Sequence, residues 1–198
     1  MIRTIGFTKD DALMFDFPLS DINTGIFQWY WVDFDRPTEE EIAYLDSFFN
    51  FHPLAIEDCL HGLQRPKLNY YDDYTFFVFH ALTEGDLEAN ELNMFFGENY
   101  VVTFHFEQLQ ELELARERIV RNPTKWDEGH VFTAHQVIDK VVDNYFPILY
   151  KIASSITSRK WMISSCSRLQ ISTKCWAVSV LKNTSGMYAT CSCCCSTI

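Results

Sequence analysis

Between Lys67 and Phe106 the chain contains YTFFVFHAL, ELNMFF and YVVTFHF, three aromatic and β-branched runs of strand length. They are separated by TEGDLEAN and by Gly97-Glu98-Asn99, the second of which reads as a tight hairpin turn. Side chains this bulky, repeated at strand spacing, need a sheet to bury them, and this constrains the fold more than any other feature. The first 34 residues add further strands. MIRTIGF and ALMFDFP flank Lys9-Asp10-Asp11, and GIFQWYWVDFD opens at Gly25.

Helical signals lie between and after these runs. Thr38 with Glu41 three residues later forms a capping box, and Ile42, Leu45, Phe48 and Phe49 follow at helical spacing. Pro53 suits the first position of a second helix, because its missing N–H would be unpaired there, and Gly62 ends it. Residues 108 to 121 are charged and helical. From His130, the residues Ala134, Ile138, Val141, Tyr145, Ile148, Ile152 and Ile156 repeat near 3.6, which predicts a long amphipathic helix that Pro147 should kink. Strands, helices, strands, helices in this order predict an α/β domain with a mixed sheet covered by helices. Phe27, Trp29, Phe77, Phe79, Phe95 and Val101 are the expected core.

Charge divides the chain. The first 143 residues hold all 27 acids and ten of the 16 Lys and Arg, a formal charge of −17; the remaining 55 hold six Lys and Arg and no acid. A net charge of −11 argues against nucleic acid, whose phosphates are bound largely through Lys and Arg. Cysteine breaks at the same place: only Cys59 precedes it, and Cys166, Cys175, Cys191, Cys193, Cys194 and Cys195 follow. No N-terminal export signal is visible, and no run of roughly 20 apolar residues occurs that would span a bilayer.

The stretch FHPLAIEDCLHGLQRPKLNYYDDY places His52, Glu57, Asp58 and His61 within ten positions. On a helix from Pro53, Glu57 and Asp58 share a face with His61, a possible Zn²⁺ set. The spacing lacks the two-histidine element of a zincin helix, so the preferred reading is a capped helix with carboxylates solvated or paired with Arg65 and Lys67. Tyr70-Tyr71-Asp72-Asp73-Tyr74 reads as a strand entry with a polar turn. Glu84, Asp86 and Glu88 make an oxygen-rich loop suited to Mg²⁺, with Glu84 and Asp86 as weak candidate ligands against the alternative of a solvated acidic loop. His80 and His105 sit within strands as core or interface histidines. A phosphate loop, nucleophile elbow and two-cysteine knuckle are all missing, so no enzyme is expected; a small hydrolase using the His52 group is the rival reading.

HPLAIEDCL followed by QRPKLNYYDDYTFFVFHAL, then ELNMFFGENYVVTFHF and VIDKVVDNYFPILYKI, resembles the N-terminal cytosolic domain of the CorA family of Mg²⁺/Co²⁺ transporters. The resemblance covers roughly residues 1 to 152. It implies an α/β/α sandwich with helices on both faces of the sheet, assembling as a funnel of five subunits at the cytoplasmic face of the membrane, with regulatory Mg²⁺ at subunit contacts. Asp86 would then stand near the family's ion-holding acid, and His52, Pro53, Glu57, Asp58, Arg65 and Pro66 would build a helix-to-strand corner.

Family members continue into acidic stalk helices and two membrane helices, whereas this chain continues into a Cys- and Ser-rich tail, residues 153–198. Out-of-frame translation accounts for its abrupt composition. A metal- or redox-active cysteine cluster and lipidation at Cys195 are the alternatives. The sequence therefore predicts a soluble, cytoplasmic domain of a CorA-like transporter, not transport-competent by itself; a free-standing metal-binding module using the C-terminal cysteines is the alternative.

Overall fold

The computed structural model describes residues 1–62, 64–82 and 89–155, with side chains as far as residue 150. Seven strands form one sheet: β1 (Ile2–Thr8), β2 (Leu13–Phe15), β3 (Phe27–Asp35), β4 (Lys67–Tyr70), β5 (Thr75–Leu82), β6 (Ala89–Phe96) and β7 (Tyr100–His105). Their order is β2-β1-β3-β7-β6-β5-β4. Among the described residues only β3 and β7 pair in parallel, from Tyr30↔Tyr100 to Asp35↔His105, and every other pair is antiparallel, so the sheet is mixed as expected.

Strand alternation sorts the aromatic side chains into two layers. Trp29, Trp31, Phe77, Met94 and Val101 face α4 (Gln110–Val120) and α5 (Gly129–Asp143). Val32, Phe34, Phe76, Phe95 and Phe104 face the other side, under α1 (Glu39–Ile42), α2 (Tyr44–Ser47) and α3 (Pro53–Leu60). Helices thus cover both faces, and the sheet's two inner surfaces are fully used. Of the expected core, Phe27, Trp29, Phe77, Phe95 and Val101 are buried, and Phe79 packs half-buried against the first layer.

Local signals hold where they concern caps. The Thr38–Glu41 capping box forms in both directions, and His52 caps α3 ahead of Pro53. The helix expected after Thr38 is instead two four-residue turns that meet at Ala43, with only Leu45 buried. Tertiary packing ends the second of them. Phe51 must reach the sheet, where its ring stacks on Phe95 at 3.9 Å and on Phe49 at 5.3 Å, and Asn50 takes a positive φ of 54° to let it turn inward. Burying one such ring contributes about 1.5–3 kcal/mol, more than the few backbone bonds of a short exposed helix.

The long helix is also divided. α5 ends at Asp143 and α6 (Tyr145–Ser155) begins after Asn144. Pro147 has no N–H for the carbonyl of Asp143 four residues back, and its ring crowds that carbonyl. The break therefore lies upstream of the proline. Asn144 uses the interruption: its Nδ2 donates to Glu111 Oε1 on α4 at 2.6 Å. The anticipated boundary near residue 152 falls within α6, and residues 156–198, including all six tail cysteines, lie outside the described ones.

Candidate functional site

The His52 group is a corner of the fold. His52 Nδ1 accepts the N–H of Leu54 at 3.2 Å, and its backbone N–H donates to the Tyr74 hydroxyl at 2.8 Å. Asp58 pairs with Lys67 Nζ at 2.7 Å, tying α3 to β4. Both the backbone N–H and Nδ1 of His61 lie 3.0 Å from the Glu57 carbonyl, which closes the helix. Glu57 is exposed. His52, Asp58 and His61 each have a local structural task, Glu57 contributes its backbone carbonyl, and the four side chains do not converge. The YYDDY segment is the β4–β5 turn, closed by Tyr71 N–H donating to the Tyr74 carbonyl at 2.9 Å.

The Mg²⁺ candidates Glu84 and Asp86, with Glu88, lie outside the described residues. The flanking strands are described up to the Leu82↔Ala89 pair, at the end of the sheet where β7 finishes. Near that end His80 lies half-buried, with Nε2 2.6 Å from the Gln64 carbonyl.

The opposite end carries an open groove of about 980 Å³. The β4–β5 turn supplies Asp72 and Asp73, the β6–β7 hairpin supplies Glu98, and the approach to α5 supplies Asp127 and Glu128. Among the described residues no Lys or Arg lines it, but Lys125, just outside, pairs with Glu128. The other four carboxylates around one concavity concentrate cations from solution. At the groove's base His130 packs on Phe96 at 4.9 Å; burial lowers its pKa to about 4, so the ring is neutral and adds no opposing charge. Among the described residues no three His, Cys, Asp or Glu side chains are placed to hold a bare metal ion. The groove's chemistry suits cations that keep their water, as Mg²⁺ does.

A polar network not anticipated from the sequence lies beneath α4. Thr103 Oγ1 donates to Asp33 Oδ1 at 2.6 Å and accepts from Trp31 Nε1 at 2.9 Å. His105 Nε2 lies 3.2 Å from the same Asp33 oxygen, and its Nδ1 is 2.6 Å from the Glu107 carbonyl. Arg116 sits over the Trp31 ring at 4.8 Å, and its Nη2 is 3.7 Å from Asp33 Oδ2, close enough to pair by charge but not to hydrogen bond. Burial pulls the His105 pKa down, but the hydrogen bond and charge of Asp33, with Glu107 and Asp35, outweigh it and raise it. For Arg116 burial wins over Asp33, and the pKa is lowered. The available signal was Asp33 itself: it shares a strand face with Trp29 and Trp31, where an acid needs a partner. The partners come from β7 and α4, 70 to 83 residues away.

Fold and sequence now place the chain. The family model described as "CorA-like Mg2+ transporter protein" matches residues 27–168, and the chain belongs to that family. The Bacillus subtilis protein YfjQ, named as a metal ion transporter, is 42% identical over 152 residues, covering 77% of this chain and 48% of that protein. The cobalt/magnesium transport protein CorA of Thermotoga maritima is 30% identical over 125 residues, covering 58% of this chain and 34% of the relative. The chain thus spans about half or less of the length of these curated relatives. The soluble domain of CorA from Methanocaldococcus jannaschii has the same fold, with a TM-score of 0.58 at 13% identity over 94% of this chain and 92% of that one. No helix among the described residues is long and apolar enough to cross a membrane.

Proposed function

We propose that residues 1 to about 152 form the cytosolic Mg²⁺-responsive and assembly domain of a CorA-like magnesium/cobalt transporter. Ion conduction belongs to the part of such proteins that this chain does not match. The observation that carries this reading is the family match over residues 27–168, which takes in the α/β/α domain from β3 through α6. The domain's role is to bind hydrated cations weakly and to associate with copies of itself in a pentamer, not to turn over a substrate. Its acidic surface supports the first part, because a formal −17 over residues 1–143 repels itself and is relieved by divalent cations. Glu84 and Asp86 are weak candidate Mg²⁺ ligands within this acidic surface, acting through the ion's waters and not as a tight site. The cytoplasmic face of the membrane is the proposed location of the assembled protein.

A chimera tests the proposal. Residues 1–152 replace the matching segment of YfjQ, and Mg²⁺ or Co²⁺ uptake is measured in cells lacking their own uptake system. Uptake by the chimera but not by this chain alone is the expected result. A chimera that reaches the membrane in normal amount yet neither assembles nor conducts would refute it.

A further inference from the structure

The His105 ring stands between two acceptors. Its Nε2 lies 3.2 Å from Asp33 Oδ1 on β3, and its Nδ1 lies 2.6 Å from the backbone carbonyl of Glu107, in the connection between β7 and α4. A neutral imidazole has one N–H and one bare nitrogen, so it can donate to only one of them. The bare nitrogen would then face an oxygen, lone pair against lone pair. Both contacts are hydrogen bonds only when the ring is an imidazolium, which donates from both nitrogens. The side chain is 3% exposed, so water does not stand in for either acceptor.

The surroundings support that charge. Asp33 and Asp35 face the ring from β3, the second 4.0 Å from Nδ1 and itself paired with Arg36. Arg116 approaches from α4, but on the far oxygen of Asp33, with Nη2 3.7 Å from Oδ2. Arg3 on β1, opposite Asp33 in the sheet, is held by Glu113 on α4. At the end of the sheet a cavity of about 280 Å³ brings Glu91 of β6, the Glu107 side chain and Cys59 of α3 alongside the ring. Burial pushes the Cys59 thiol up, so it stays neutral. Carboxylates thus outnumber cations around His105.

Loss of the proton breaks one of the two bonds, and burial decides which. Asp33 is 2% exposed, and without His105 its Oδ1 would keep only the Thr103 hydroxyl as donor. Glu107 is exposed, with exposed Phe106 and Gln108 on either side, so its carbonyl can turn to water at little cost. The next residue, Leu109, is buried and leads into α4.

We propose that His105 is a proton-dependent latch: as an imidazolium it ties the β7–α4 connection to β3, and on deprotonation it releases the Glu107 carbonyl and keeps Asp33. The proton leaves from Nδ1, and the N–H that remains is on Nε2. The start of α4 then has one tether fewer to the sheet. The latch is built into the fold and does not rest on the transport reading.

The test is NMR of the full chain labelled with ¹³C and ¹⁵N, titrated between about pH 5.5 and about pH 9. The signals missing from His105→Gln identify the ring. Its midpoint should lie above the ordinary imidazole value of about 6.5, and the Glu107 carbonyl carbon should move with the same midpoint. Above it the ring nitrogens should report an N–H on Nε2 alone. Asp33→Asn should lower the midpoint by about one pH unit or more, the effect of removing an opposite charge at this distance. The titration of the unaltered chain decides the matter even if that variant does not fold. A ring that titrates below about 6.5, a Glu107 carbonyl that does not follow it, or an N–H left on Nδ1 at high pH would each overturn the proposal.

Discussion

Asp33 and His105 lie side by side on the parallel pair β3 and β7, with Asp33 Oδ1 3.2 Å from His105 Nε2 and both side chains 3% exposed. This contact is buried under α4 with Arg116 and Thr103, so it links the one parallel junction of the sheet to the helical layer above it. Opposite charges withdrawn from water this way hold each other in place. Removing Asp33 leaves His105 and Arg116 without their shared carboxylate.

Asp33→Leu should therefore destabilise the domain by about 3 kcal/mol, the usual cost of breaking a buried charged pair. Urea unfolding followed by tryptophan fluorescence would measure it. A midpoint equal to that of the parent would show that the Asp33 contacts do not hold the fold.

The raised pKa of His105 fixes the sign of a pH effect. A raised value means that protonation favours the folded state. Its contribution is complete below the unfolded imidazole value of about 6.5 and is lost as pH rises through the higher folded value. The stability gap between the parent and His105→Gln should accordingly be wider at about pH 5.5 than at about pH 8.5. Urea titrations at the two pH values test this, and a gap that widens with pH would contradict the assignment.

Asn144→Ala removes the donor that meets Glu111, whose side chain is mostly buried. A loss of about 1–3 kcal/mol is expected, the cost of leaving a buried acceptor unsatisfied. Thermal unfolding of the two proteins side by side gives the answer. No loss would show that water replaces the asparagine.

Gly97 turns the β6–β7 hairpin, and a Cβ there would stand 2.2 Å from the Tyr100 ring. The ring has little room to yield, because it stacks on Tyr30 at 5.6 Å. Gly97→Ala should cost about 1–3 kcal/mol through overpacking. Chemical denaturation is again the measurement, and an unaltered midpoint would show that Tyr100 rotates away freely.

Mg²⁺ should raise the melting temperature only at millimolar concentration, by screening an acidic surface, and Asp86→Ala should barely alter the response. The partner carboxylates that the family resemblance implies beyond residue 152 are replaced here by Ala153, Ser154 and Ser155. Thermal-shift titration distinguishes the cases. Saturable stabilisation at micromolar Mg²⁺, lost in Asp86→Ala, would establish a specific sensor site.

Local chemistry was legible in the sequence wherever the interacting groups are near neighbours in the chain. The Thr38–Glu41 box, the His52–Pro53 helix start, the Gly97 hairpin and the alternating aromatics of β3, β5 and β7 each follow from spacing alone, because backbone geometry dictates which side chains share a face. The break of the long helix follows from Pro147, but the strand order, the parallel pairing of β3 with β7 and the early end of the helix after Thr38 did not follow. Each of these depends on a partner distant in sequence, as Phe51 on Phe95 and Asp33 on the incoming β7. The same holds for function. The chain's motifs sufficed for the family, whereas the acidic groove exists only because turns far apart in sequence meet at one end of the sheet. Periodicity specifies which residues must be buried; only the folded arrangement decides against what.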